Sequence, residues 1–205
     1  MLIDHKITEY LTKAAAGTAV PGGGSVAALN AALAASLTEM VANLTIGKKG
    51  YEAVEEEMIA LAEMASQLRN KLTAAIDQDA DAYTEVMAAY KLPKTTDEET
   101  ALRKQKIQDA IKHAALVPLA VARDALAVIE LAGRAIRKGN KNAASDGAVA
   151  AMNARTGALA AIYNVKINLG SIQDNSFVEK LGQEVKKMEH QVIEMENVAL
   201  SNVSI

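Results

Sequence analysis

The sequence predicts an all-α protein, a single helical-bundle domain covering residues 1–205. Half of the residues are hydrophobic, but only 3% are aromatic and tryptophan is absent. The apolar residues are therefore mainly alanine, leucine, valine, isoleucine and methionine, which include the strongest helix formers. Only three prolines interrupt the chain. Because small side chains let helix backbones approach closely, we expect about six tightly packed main helices.

The helix boundaries follow from apolar spacing and from the glycines and prolines that interrupt it. The first helix ends at Gly17, and the second follows three consecutive glycines, with Ser25 as its expected N-cap. The third ends before Pro93, and Pro118 predicts a kink in the fourth. The expected helices cover residues 3–16, 25–47, 51–90, 97–138, 143–169 and 176–199.

The second helix is rich in alanine and carries a stripe of larger apolar residues at steps of four and three. We expect this stripe to face the core; it consists of Leu29, Leu33, Leu37, Met40 and Leu44. The same segment is the nearest approach to a membrane span, but it includes polar residues and alanine contributes less transfer energy than leucine. We therefore interpret it as a buried helix.

Charge and cysteine content exclude several functional classes. The formal net charge is −3 and the isoelectric point is about 5.7, which argues against a nucleic-acid partner. Without cysteine there is no disulfide, thiolate nucleophile or cysteine-ligated zinc. The first residues, MLIDHKITEY, lack the basic and apolar segments of a signal peptide. We expect a cytoplasmic protein with no membrane partner.

A carboxylate interrupts the apolar face of the third helix. Apolar residues recur there at steps of three and four, and Asp79 is the only ionisable carboxylate among them. A carboxylate on a core-facing stripe must be paired, hydrogen-bonded or protonated. Asp79 is therefore either part of a structural ion pair or a functional group with a raised pKa. Asp77, Asp81 and Glu85 lie on another face, where water can solvate them.

The fifth helix carries polar residues between its alanines: Asp146, Asn153, Arg155, Asn164 and Asn168. Buried amides can link helices and fix their register. They can also line a polar pocket between helices, as binding sites require. An arginine among such small residues favours the pocket.

The segment AVPGGGSVAALN places three glycines immediately before a helix. Bare N–H groups at the positive end of a helix dipole attract anions; the alternative is a tight turn between helices. Neither a Walker motif nor a dinucleotide fingerprint is present. Lys48 and Lys49, in GKKG, follow a helix end, where they either complement its dipole or attract an acidic ligand.

Three segments carry a family resemblance: PGGGSVAALNAALAASLTEMVANLTIGKKGY, IDQDADAYTEVMAAYKLPK and GNKNAASDGAVAAMNARTGALAAIYNVKIN. Together they resemble the cyclodeaminase/cyclohydrolase family, which comprises the deaminase domain of formiminotransferase-cyclodeaminase and stand-alone bacterial methenyltetrahydrofolate cyclohydrolases. The resemblance covers nearly the whole chain. It implies an all-helical homodimer with a tetrahydrofolate derivative as substrate and no metal.

Both family reactions pass through one carbon that bridges N5 and N10 of tetrahydrofolate, and both need a proton acceptor and donor beside a delocalised cation. With this chemistry in view, we expect Asp79 to be the catalytic acid/base, with Asp146 as the alternative. The expected substrate pocket comprises Gly22, Gly23, Gly24, Ser25, Lys48, Lys49, Asn142, Ser145, Asn153 and Arg155.

Three classes of function remain open at this point, the first of which is a folate enzyme. A cyclohydrolase is favoured over a cyclodeaminase, because the deaminase usually accompanies a transferase domain. A non-catalytic helical dimer that binds a folate or another anion is the second class. A purely structural, coiled-coil-like assembly ranks last, because it explains neither the glycines nor a charge on the apolar stripe.

Overall fold

The computed structural model describes residues 1–204, and within that range the chain contains helices and no β-strand. The six α-helices are α1 (Ile7–Ala14), α2 (Gly23–Asn43), α3 (Glu55–Tyr90), α4 (Asp97–Lys138), α5 (Ala144–Leu169) and α6 (Asn175–Leu200). Short 3₁₀ turns occupy Leu2–Asp4, Glu52–Val54 and Lys141–Ala143. The all-α class and the six main helices are confirmed.

The helix ends match the sequence best where a capping pattern is explicit. At the start of α4, the Thr96 hydroxyl accepts a hydrogen bond from the Glu99 backbone N–H, and the Glu99 carboxylate accepts one from the Thr96 N–H. Pro118 lies inside α4 without ending it. The first predicted helix is shorter than expected, because a 3₁₀ turn precedes α1.

The expected orientation of α2 is wrong, since this helix buries alanines rather than its leucine-rich stripe. The side chains of Leu33 and Leu44 are about half exposed, at 49% and 48%. The helix is apolar and long enough to span a membrane, but 56% of its most apolar window is buried against its neighbours. The buried alanines are Ala27, Ala28, Ala31, Ala32, Ala34, Ala35 and Ala42.

Close approach between α2 and α5 explains why alanines occupy the interior. Gly157 of α5 meets the backbone of α2 directly: a Cβ atom there would lie 2.9 Å from both the Ala27 oxygen and the Ala31 nitrogen. Larger side chains at these positions would separate the two backbones, so alanines occupy them, while Leu29 and Leu37 are half-buried at the edge of the core.

Successive long helices run antiparallel, which gives the bundle two distinct ends. At the glycine end, α2 begins and α3 and α5 finish. At the lysine end, the 44–50 loop meets the 139–143 segment, where the buried Asn140 amide donates to the Leu44 carbonyl at 3.0 Å. Since α2 has 21 residues, the two ends are about 30 Å apart at ~1.5 Å per residue.

Gly157→Ala tests the close contact. Alanine is normally better than glycine in a helix by about 1 kcal/mol, but here we expect the free energy of unfolding to fall by about 1–3 kcal/mol because the interior is overpacked. The control is Gly182→Ala in α6, where a Cβ meets no atom within 4 Å. Urea denaturation of both variants is the measurement; equal stabilisation by both would contradict the contact.

Candidate functional site

A cleft of about 330 Å³ opens at the glycine end of the bundle. Its floor is the glycine loop at the start of α2, and its walls are the second half of α3, the middle of α4 and the end of α5. The lining combines apolar and aromatic side chains with a few polar groups, as in sites for small organic ligands. The lining residues include Gly23, Gly24, Asp79, Tyr83, Asn164 and Asn168.

Gly24 makes room for the Asp79 carboxylate. A Cβ atom at residue 24 would lie only 1.9 Å from Asp79 Oδ1 and 2.7 Å from Oδ2, so no other residue fits without displacing the acid. The carboxylate therefore lies against the first turn of α2, at the positive end of its dipole. The anion at this helix start is the protein's own side chain.

Ser25 is a partner of Asp79 and not the N-cap of α2, which is Gly22. The buried Ser25 hydroxyl lies 3.1 Å from Asp79 Oδ2 and 2.9 Å from the Ile76 carbonyl oxygen. This hydroxyl has one proton for two acceptors. It can donate to an ionised Asp79; when Asp79 is protonated, it can donate to Ile76 and accept the carboxyl proton. The same contact therefore accommodates both protonation states.

The Asp79 carboxyl has no compensating cation. It takes part in no ion pair within residues 1–204, so the structural ion pair that the sequence left open is not observed. Burial raises the pKa of Asp79 above its ordinary value, while the Ser25 hydroxyl and backbone N–H act in the opposite direction. An acid with a raised pKa is suited both to accept a proton and to return it.

Tyr10 lies behind this acid and was not anticipated from the sequence. It is the buried residue of α1, and its hydroxyl has no hydrogen-bond partner in the described part of the chain. Burial raises the pKa of Tyr10, and the negative charges of Asp79 and Asp77 raise it further. Asp77 also accepts a hydrogen bond from the Leu2 backbone N–H, which holds the amino-terminal turn against α3.

The predicted site residues separate into groups. Gly22, Gly23, Gly24, Ser25 and Asp79 lie together at the glycine end, and all but the buried Ser25 line the cleft. A second group lies at the lysine end, so it shares no pocket with Asp79 in one subunit, contrary to expectation, because the length of α2 intervenes. This group consists of Lys48, Lys49, Asn142, Ser145 and Asp146.

The two remaining predicted residues lie farther along α5 and do not line the cleft. Arg155 Nε lies 2.9 Å from Glu196 Oε2, so the guanidinium forms an ion pair that joins α5 to α6. Its place among small residues reflects this pairing between helices. Asn153, also part of α5, is half-buried. The expectation of one pocket containing Asn153, Arg155 and Asp79 is therefore corrected.

The amides that do line the cleft are Asn164 and Asn168, near the end of α5. Their four-residue spacing was visible in the sequence, but nothing in the sequence indicated which end of the bundle faces the acid. The cleft also contains Tyr83 and Tyr90, which continue the α3 stripe past Asp79. Both tyrosines are exposed, at 42% and 46%, because the stripe emerges from the core into the cleft.

The fold and the site define a class: an all-α protein with a partly buried acid, without a paired cation in the described residues, on the wall of a cleft sized for a small organic molecule. In the described residues, no group of three or more histidines, aspartates or glutamates is close enough to hold a metal ion. The arrangement is suited to proton transfer at a ligand that carries or develops positive charge.

Comparison with known proteins identifies the family. The sequence profile of the formiminotransferase-cyclodeaminase family matches residues 6–187, and the chain belongs to this enzyme family. It is 43% identical over 183 residues to a methenyltetrahydrofolate cyclohydrolase of Methylorubrum extorquens, covering 89% of this chain and 88% of that protein.

Two further relatives carry the deaminase name. The formimidoyltransferase-cyclodeaminase of Rattus norvegicus is 34% identical over 91% of this chain, which spans only 35% of the length of the rat protein. The crystal structure of formiminotetrahydrofolate cyclodeaminase from Thermotoga maritima superposes with a TM-score of 0.88 at 32% identity, covering 99% of this chain and 98% of that one. The fold is thus shared over its full extent.

Asp79→Asn tests the cost of partly burying the acid. Because the folded-state pKa is raised, the native state binds more protons than the unfolded state, and wild-type stability falls as pH rises through that pKa. The amide does not ionise, so the variant should be more stable at neutral pH; a gain of about 1 kcal/mol corresponds to ~2–4 °C in Tm.

Thermal and urea denaturation of both proteins across pH provide the measurement. The difference in stability between Asp79→Asn and wild type should shrink as pH falls toward the ordinary carboxyl pKa. Asp81→Asn, which removes an exposed carboxylate from the same helix, is the matched control. A stability difference that grows at acidic pH would contradict the raised pKa of Asp79.

Proposed function

We propose that this chain is a methenyltetrahydrofolate cyclohydrolase, which adds water to 5,10-methenyltetrahydrofolate and yields 10-formyltetrahydrofolate. The observation that carries the proposal is Asp79, a partly buried acid with a raised pKa and no paired cation among residues 1–204, which lines the cleft beside the glycine loop. The 43% identity to a protein of that name, with nearly equal chain lengths, supports the choice within the family.

The first step of the proposed reaction is addition of water to the methenyl carbon. This carbon is shared between N5 and N10 in a delocalised cation, which the ionised Asp79 stabilises by its charge. As the water oxygen bonds to carbon, one water proton passes to the Asp79 carboxylate. The product of this step is a neutral adduct with a hydroxyl on the former methenyl carbon.

The second step opens the ring. The bond between this carbon and N5 breaks while protonated Asp79 delivers its proton to N5, and the carbon–oxygen bond becomes the carbonyl of the N10-formyl group. The hydroxyl proton is lost and leaves to solvent, so one proton is released for each cation hydrolysed. A raised pKa suits Asp79 for both transfers, and the Ser25 hydroxyl can follow each change by switching its acceptor.

Cyclodeamination is the second candidate, supported by the Thermotoga maritima structure and by the rat relative. In that reaction N10 attacks the carbon of a 5-formimino group and ammonia leaves with a proton from the acid. The same carboxylate serves both reactions. A non-catalytic folate-binding protein is less well supported, because the raised pKa of Asp79 and its Ser25 partner, which fits both protonation states, suit proton transfer, and binding alone does not need proton transfer.

The homodimer, the absence of a metal and the cytoplasmic location stay predictions. The half-exposed side chains of Leu33 and Leu44 are compatible with a second subunit.

Purified protein offered 5,10-methenyltetrahydrofolate should accelerate the loss of methenyl absorbance over buffer. Removing the acid/base in Asp79→Asn should lower kcat by about 10²–10⁴-fold, with Asp81→Asn close to wild type. Offering 5-formiminotetrahydrofolate and measuring ammonia distinguishes the deaminase. Full activity in Asp79→Asn would exclude the mechanism, and no acceleration of either reaction by wild type would exclude both enzyme functions.

Gly24→Ala should give a folded protein with a displaced acid. The added Cβ overlaps the position of Asp79 Oδ1, so turnover should fall at least tenfold while helical content by circular dichroism is unchanged. Gly182→Ala introduces the same methyl group where no atom lies within 4 Å. Equal turnover in these two variants would show that the observed position of the carboxylate is not needed.

A further inference from the structure

We infer that Asn164 and Asn168 bind the N–H donor edge of the pteridine, namely N3–H and the 2-amino group of its pyrimidine ring. This inference rests on the proposed function, since it takes a tetrahydrofolate derivative as the ligand. The amide oxygens of α5 would then bind the end of the substrate that does not react. The reacting carbon between N5 and N10 would lie at the other side, next to Asp79.

The orientation of both amides is fixed by carbonyl groups of the protein. Asn164 Nδ2 donates to the Ala160 carbonyl at 2.9 Å. Asn168 Nδ2 donates to the Ala114 carbonyl at 3.0 Å and to the Asn164 carbonyl at 2.9 Å. A carbonyl oxygen can only accept, so an amide flip would set two acceptors against each other. The Oδ1 atoms are therefore the groups left to bind other molecules.

These two oxygens have no hydrogen-bond donor elsewhere in residues 1–204. Both residues line the cleft, and they lie one helical turn apart, where Cβ atoms are about 5–6 Å from each other. Gly23 keeps the approach open: a Cβ there would lie 3.4 Å from Asn164 Nδ2 and 3.6 Å from its Oδ1. A pair of acceptors on one wall thus faces the ligand.

The hydrogen-bond acceptors of the cleft determine which part of the ligand binds there. Acceptors pair with donors, and the pyrimidine edge of a 2-amino-4-oxopteridine presents adjacent N–H donors. The glutamate tail presents only carboxylates at its end, which two amide oxygens and Asp79 would repel. Among residues 1–204, no lysine, arginine or histidine lines this cleft, so these residues supply no counter-charge for the tail. The ring enters and the tail points out.

The experiment compares two stable ligands, 5-formyltetrahydrofolate and its analogue with a 2-methyl group in place of the 2-amino group. Wild type should bind the amino ligand about tenfold more tightly, the effect of about one hydrogen bond between neutral groups. Asn164→Ala should lose most of this preference, weakening the amino ligand and leaving the methyl analogue nearly unchanged. Isothermal titration calorimetry measures all dissociation constants.

Asn30→Ala is the matched control. Asn30 makes the same bond to the carbonyl four residues earlier, at 2.9 Å, but lies on α2 and does not line the cleft. It should keep the full preference. Asn168→Ala is the second variant. Because the Asn168 amide also joins α5 to α4, the ligand preference of this variant is measured at a temperature where circular dichroism shows that the protein is folded.

Loss of affinity for both ligands equally in Asn164→Ala would overturn the inference, since a structural role acts on both. Loss of the preference in Asp79→Asn, with Asn164→Ala unaffected, would also overturn it and assign the donor edge to Asp79. The methenyl hydrolysis assay separates the two proposals. A wild type that discriminates the ligands but does not hydrolyse refutes only the activity; one that hydrolyses without discriminating refutes only the amide site.

Discussion

The contact between the Asp79 carboxylate and the start of α2 is the constraint on which the site depends. Burial makes the charged acid costly, and the first turn of a helix is one of few places where dipole and N–H groups partly offset that cost. The carboxylate can reach that turn only because residue 24 has no side chain. The cleft, the perturbed pKa of the acid and its hydroxyl partner all follow from this placement.

Because alanines fill the interior, the Asp79 carboxylate lies close to the backbone of α2. In a bundle held apart by leucines, a side chain as short as aspartate would not reach the next helix. Here α2 contacts α5 at the level of its backbone atoms, and alanines make up most of its buried residues.

The sequence predicted the helices well, because capping residues, glycines and prolines act locally. It also located Asp79, because a charge on a regular apolar stripe needs no knowledge of the partner helix. The prediction of the buried face of α2 was wrong. Leucine is the more hydrophobic residue, but alanine allows closer packing of the helices, and alanines therefore occupy the buried face. The prediction also grouped Asp146, Lys48 and Arg155 with Asp79, although which end of a bundle a residue occupies depends on the whole chain path.

Gly24 and Asp79 depend on each other, so substitutions at the two positions can occur in only one order. A descendant that replaced the acid with a small residue would release the glycine, which could then accept alanine and gain helix stability. The reverse order is blocked, because a methyl group acquired first would expel the carboxylate. Loss of catalysis in this lineage would therefore leave a directional trace, with the acid changing before the glycine.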